Sequence, residues 1–271
     1  RTMKRILFLT ALLLSLNRCN MANSKYPPER FFDGHDLSIA RAIYGNDRSS
    51  LKIFVQEPGF DVNKIGKQGI SFLLYAIYAE QKKMVEFLLA HGADPNLLNP
   101  ELMDDASKER PQIVVNKLPL SYVSRSFFAF DLDYVRMLVK YGADINDNRV
   151  SPPLIVCMSS GEESRTLKLI SYLLDHGADI NIRGTNNRTP LIAAADISLW
   201  DIANYLLDRG ADYKMVDNAG WSLAYNIQDE IDMNKGTAKR KEKVHALKRR
   251  LEKLGVEFPV EKGESTFKKA E

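Results

Sequence analysis

The sequence predicts an all-α protein built from stacked helix-turn-helix units. Three observations carry that prediction. A short pattern recurs: His91-Gly92-Ala93-Asp94-Pro95-Asn96, Tyr141-Gly142-Ala143-Asp144-Ile145-Asn146, His176-Gly177-Ala178-Asp179-Ile180-Asn181 and Arg209-Gly210-Ala211-Asp212. Weaker copies stand at Pro58-Gly59-Phe60-Asp61-Val62-Asn63 and Leu254-Gly255-Val256-Glu257. The glycines are spaced 33, 50, 35, 33 and 45 residues apart, and the stretches between them carry helix openers and apolar faces at helical spacing.

One unit explains the period. Thr189 can cap the free N–H groups of a helix, and Pro190 suits its first position because no N–H is needed there. Ala193, Ala194 and Ala195 keep this helix thin, so neighbouring units can approach. A turn near Ser198 leads to a second helix over Asp201 to Asp208, with Ile202, Tyr205, Leu206 and Leu207 on its apolar face. Gly210 ends it by accepting a left-handed conformation, and Asp212 starts the hairpin to the next unit. No unit buries its apolar face alone, so stacking is obligatory.

The pattern predicts about five units and a closing element over residues 36–258. The first helix pair spans Leu37 to Gln56, with Gly45-Asn46-Asp47 as its turn. Others begin at Ser71-Phe72-Leu73, Leu118-Pro119-Leu120, Pro152-Pro153-Leu154, Thr189-Pro190-Leu191 and Ser222-Leu223. Extra residues fall between Leu97 and Lys117, near Phe127 to Phe130, at Gly161 to Arg165, and around Asp229 to Arg240. Val244, Leu247, Leu251 and Leu254 form the apolar face of a basic helix. That helix reads as the solvated cap of the stack, with anionic lipid or an acidic protein as the functional alternative. Residues 20–35 are expected to be a linker and residues 259–271 a flexible polar tail.

Of 271 residues, 45% are hydrophobic and 27% charged, a balance that supports a packed soluble core. The net charge of +3 is uneven: residues 1–19 contribute +4 and residues 235–253 contribute +7, which leaves −8 elsewhere. Residues 1–19 read as an export signal, with Arg1, Lys4 and Arg5 before the apolar run Ile6 to Leu16. That run is too short to span a bilayer. Leu16-Asn17-Arg18-Cys19 resembles a bacterial lipobox, in which Cys19 would be acylated; Arg18 stands where that pattern has a small residue. The lipobox resemblance, with Asn20 after the cysteine, implies the periplasm and the outer membrane.

No catalytic constellation is legible. Elbow, zincin and paired C-x-x-C patterns are missing from the sequence, and Gly66-Lys67-Gln68-Gly69 lacks the spacing and ending of a phosphate loop. His91 and His176 occupy one repeat position and read as structural. His35 precedes the first helix, where Asp36 could cap it. No metal, cofactor or enzymatic activity is expected. A basic helix without interleaved aromatics on an acidic body gives no support for nucleic-acid binding.

The period near 33 with Gly-Ala-Asp and Thr-Pro-Leu resembles the ankyrin repeat, which implies an ankyrin-repeat solenoid that binds a protein through hairpin tips and first helices. That resemblance implies partner contacts at Lys67, Gln68, Ile70 and Tyr78 in one unit. Further along it implies Asn186, Arg188, Asp196, Trp221 and Asp229, with Arg125, Arg149 and Ser159 in the units carrying insertions. The acidic groups Glu162 and Glu163 add to this surface, as do Asp104, Asp105, Glu230 and Asp232. Leader and repeats together resemble the ankyrin immunity proteins that neutralise periplasm-acting type VI secretion effectors, particularly phospholipases. This implies a secreted toxin as the partner, contact with the membrane only through a lipid on Cys19, and occlusion as the mechanism. The alternative is an envelope scaffold that organises a partner without inhibiting it.

Overall fold

A computed structural model describes residues 26–98, 118–125, 131–159, 163–234 and 236–264. The expected leader with Cys19, the insertion carrying Asp104 and Asp105, and Glu162 lie outside the described residues, as does the side chain of Ser159. Among the described residues twelve α-helices fall into six pairs, with one isolated bridge between Ile65 and Ser71 and no strand. The chain divides into two compact units, one ending at Ala93 and the other starting at Asp94.

The first unit holds α1 (Gly34–Tyr44), α2 (Arg48–Phe54), α3 (Phe72–Tyr78) and α4 (Lys82–Ala90). Asp47 caps α2 by accepting the Ser49 and Ser50 amides, and Ser71 caps α3 by accepting from Leu74. His35 and Asp36 lie inside the first turn of α1 and not ahead of it. Asp33 is the residue before that helix, so Asp36 is no cap; it faces the positive end of the helix dipole instead. His35 Nε2 pairs with Glu57 Oε2 at 2.7 Å and its ring meets Phe54 edge-on at 5.5 Å.

The expected linker over 20–35 is folded from residue 26 onward. A short 3-10 turn, Pro28–Arg30, delivers Phe31 and Phe32 into the core. The Phe32 ring stacks on Phe72 at 4.9 Å, and Phe31 tilts against Tyr75 at 5.7 Å. Full burial of each phenylalanine is worth roughly 2–3 kcal/mol, more than a tether can forgo.

The second unit holds α5 (Pro119–Val123), α6 (Leu132–Lys140), α7 (Pro153–Val156), α8 (Glu163–Asp175), α9 (Pro190–Asp196), α10 (Trp200–Asp208), α11 (Leu223–Asp232) and α12 (Ala238–Lys253). Prolines open α5, α7 and α9, and Thr189, Ser222 and Thr237 cap α9, α11 and α12. The alanines of α9 are all buried, as are Leu206 of α10 and Ile227 of α11. Val244, Leu247 and Leu251 close the core from α12. Three of the eight lysines and arginines of α12 dock it on the neighbouring helices. Lys243 pairs with Asp201 at 2.5 Å, Arg250 with Asp208 at 2.7 Å, and Arg240 with Glu230 at 2.7 Å.

The hairpins are stitched to one another by asparagines. In each, the aspartate of Gly-Ala-Asp accepts the amide two residues on, as Asp144 does from Asn146 at 2.8 Å and Asp179 from Asn181 at 2.9 Å. The asparagine so positioned reaches the next hairpin. Asn146 Nδ2 donates to the Gly177 carbonyl at 2.9 Å, while the Asp179 amide donates back to Asn146 Oδ1 at 2.8 Å. Asn96 makes the same two bonds with Gly142 and Asp144, at 2.8 and 2.7 Å, and Asn181 Oδ1 accepts from Asp212 at 2.9 Å. Within the first unit Asn63 donates to the Gly92 carbonyl at 3.3 Å. Lys214 replaces the asparagine in the last full hairpin; there Tyr213 Oη donates to the Leu254 carbonyl at 3.1 Å.

The helix-ending glycines adopt positive φ, including +95° at Gly177, where an added Cβ would meet nothing within 4 Å. Gly177→Val should therefore destabilise by about 1 kcal/mol or more through backbone strain alone, read by thermal or denaturant unfolding. Asn146→Ala should cost roughly 1–3 kcal/mol, because it removes two bonds and strands a carbonyl and an amide. Unfolding midpoints unchanged by Asn146→Ala would show the stitch to be idle.

Candidate functional site

In the first unit the expected partner residues are mostly occupied by the chain itself. Ile70 is 1% exposed and belongs to the core, so it is no contact residue. Its place just before the Ser71 cap turns its side chain under the hairpin and away from solvent. Tyr78 is half-buried against the Tyr26 ring at 5.1 Å, and this burial pushes its hydroxyl pKa well up. Lys67 is exposed, yet it is held by Asp33 at 2.6 Å while its amide donates to the Phe31 carbonyl at 2.7 Å. Gln68 stands exposed at the hairpin tip, with φ +59°.

In the second unit Arg149 is a hairpin brace. Its guanidinium bonds Asp147 through Nε at 3.0 Å and reaches the Asn96 carbonyl at 3.0 Å. Arg125 is half-buried just after α5, and Glu163, also half-buried, opens α8. Asn186 sits exposed at a hairpin tip with φ +61°, and its carbonyl accepts the Asn218 amide at 2.9 Å.

Five of the expected residues converge, Glu230 among them. Arg188, Asp196, Trp221 and Asp229 line a cleft of about 330 Å³, together with Ala195, Ser198, Asn226 and Glu230. Arg188 comes from the hairpin before α9 and Asp196 from the last turn of α9. Trp221 sits before the α11 cap, and Asn226, Asp229 and Glu230 lie along α11. Trp221 is half-buried and meets Tyr225 edge-on at 4.9 Å. Trp200 is buried in the core and forms no part of this surface.

The cleft's charges are mostly paired. Arg188 lies 2.5 Å from Asp196, and Arg240 bonds both Glu230 at 2.7 Å and Ser198 at 2.6 Å. Asp232 accepts from Gln228 at 2.7 Å. Asp229 lines the same cleft as Trp221 and has no side-chain partner among the described residues. Burial pushes the Asp196 carboxyl above its ordinary 3.8, against the lowering pull of Arg188 and of the Asn226 hydrogen bond. The sequence reading missed Ser198 and Asn226. Asn226 carried a signal, being a polar residue next to Ile227 on the face that α11 buries.

The remaining reactive groups are structural. His91 and His176 stack on Phe87 and Tyr172 at 4.0 and 3.9 Å and bond the carbonyl one turn back. Cys157 is a free, fully buried thiol whose pKa burial raises to about 12. No group of three or more metal-ligating side chains occurs among the described residues.

A helical solenoid with a polar, aromatic-walled cleft on its first helices defines a recognition module. The chain carries ankyrin repeats: the family model of three ankyrin repeats matches residues 120–217, and that of a single ankyrin repeat matches residues 68–100. Such repeats are protein–protein interaction modules, and neither matching family is catalytic. A putative ankyrin repeat protein of Acanthamoeba polyphaga mimivirus is 27% identical over 196 residues, which cover 68% of this chain and 26% of that protein. An ankyrin repeat protein of rabbit fibroma virus is 34% identical over 87 residues, 29% of this chain and 18% of its own length. A putative ankyrin repeat protein of fowlpox virus is 25% identical, covering 59% of this chain and 93% of its own length. The chain thus spans about a quarter of the mimiviral protein, and the shared feature is the repeat.

The raised Asp196 pKa has a definite sign. An acid with a raised folded pKa adds stability at low pH, which is lost as pH rises through that pKa. Asp196→Asn should therefore hold or gain stability relative to the native chain at neutral pH. The advantage should vanish below the ordinary aspartate value of 3.8, as checked by thermal unfolding against pH.

Proposed function

We propose that this chain is a protein-binding module whose cleft takes a partner presenting basic groups, and that it neutralises a toxic secreted enzyme by covering it. The observation that carries the binding reading is the convergence of Arg188, Asp196, Trp221 and Asp229 on one cleft. Tryptophan is a favoured interface anchor, and Asp229 supplies the charge complement. A preformed repeat scaffold loses little conformational entropy on binding. Neutralisation of a lipase-type effector rests on the sequence alone: the export-like residues 1–19, the lipobox resemblance at Cys19 and the likeness to immunity proteins. On this reading the chain acts in the periplasm, held at the outer membrane by an acyl group.

Co-expression with a periplasmic effector encoded beside it, followed by assay of the purified pair, tests the proposal. The effector should lose activity on binding. Trp221→Ala should weaken association by roughly 2 kcal/mol while leaving the unfolding midpoint nearly unchanged, and association should be faster at low salt. Binding that leaves the enzyme active would replace occlusion with scaffolding. Recovery of an unprocessed chain from the cytoplasm would remove the export reading.

A further inference from the structure

The expected flexible tail is docked as far as Gly263. After α12 the chain turns at Gly255, with φ +89°, and runs back along the last hairpin. The Gly263 amide donates to the Gly220 carbonyl at 3.0 Å. A Cβ on Gly220 would collide with the Gly263 carbonyl, so this approach requires the bare backbone there. One residue earlier, Lys262 places its Nζ over the Trp221 ring, 4.9 Å from the centroid. A cation of the chain itself thus rests on the one tryptophan that walls the cleft. Lys262 and Gly263 are both exposed, and one hydrogen bond with one cation–aromatic contact is a weak hold.

We infer that the Trp221 ring is a seat for a lysine or arginine side chain of the partner, and that Lys262 holds this seat in the free chain. The inference rests on the proposed reading that the cleft binds a protein. It adds the chemistry of the group recognised and a built-in competitor for it. Trp221 offers the ring face, and the Nζ of Lys262 already rests on it. A ring face used in this way suits an ammonium or guanidinium group. The self-docked segment carries the same chemistry on a backbone that is easily displaced. A partner must therefore outcompete it, which lowers the affinity of the native chain for basic ligands.

The test uses the full chain and the fluorescence of Trp221, with Trp221→Phe identifying its share against buried Trp200. Lys262→Glu and Gly263→Pro should each raise acrylamide quenching of Trp221 about twofold, and Lys262→Arg should leave it unchanged. A peptide copying residues 258–264 should restore shielding to the Lys262→Glu chain, whereas the same peptide with glutamate for its lysine should not. A tetralysine peptide should bind the Gly263→Pro chain at least threefold more tightly than the native chain. Unchanged quenching in both release variants would overturn the docked segment. Raised quenching with equal tetralysine binding would overturn the competition. Neither result depends on the effector assay, so failure here is distinguishable from failure of the proposed function.

Discussion

The carboxamide of Asn146 bonds two hairpins at once, and the rest of the second unit depends on interactions of this kind. Its Nδ2 satisfies the Gly177 carbonyl and its Oδ1 satisfies the Asp179 amide. Both backbone groups sit just past a helix end, where no helical partner is left for them. The Asx turn at Asp144 holds the asparagine in the reach of its neighbour. Asn96 repeats both bonds and Asn181 the one to its Oδ1, so the hairpin edge from Asn96 to Asp212 is tied by side chains and not by a β ladder.

This edge determines what the cleft can present. Arg188 and Trp221 leave the chain from hairpins, immediately before the residues that cap α9 and α11. Asp196 and Asp229 leave from the helices that those caps begin. The cap bonds of Thr189 and Ser222 fix the angle between hairpin and helix, and the cleft is the space between the two sets of side chains. Pairing of Arg188 with Asp196 and of Arg240 with Glu230 keeps its charges ordered.

Much of the fold was legible in the sequence because the signals are local. Glycine at each helix end, proline or a hydroxyl at each start, and alanine along α9 act within a few residues of themselves. The cleft was legible in part for the same reason: Arg188, Asp196, Trp221 and Asp229 hold fixed offsets from the caps. Ile70 and Tyr78 hold comparable offsets, yet Ile70 is buried in the core and Tyr78 is packed against the Tyr26 ring. Nothing in the composition of 20–35 separated a tether from a docking segment except the pair Phe31 and Phe32. The asparagine bridges were invisible as bridges, since each joins residues 29 or more apart. The docked residues up to Gly263 were missed because a glycine, Gly263, reads as flexible until its neighbour Gly220 is known.

Amide hydrogen exchange at Asp144, Asp179 and Asp212 tests the central claim most directly. All three are exposed hairpin residues whose amides donate to an asparagine of the preceding hairpin. If these bonds tie the stack, the three amides exchange only when the stack opens, with protection close to that of core amides such as Leu173. Exchange at the rate of an unprotected loop would contradict the account.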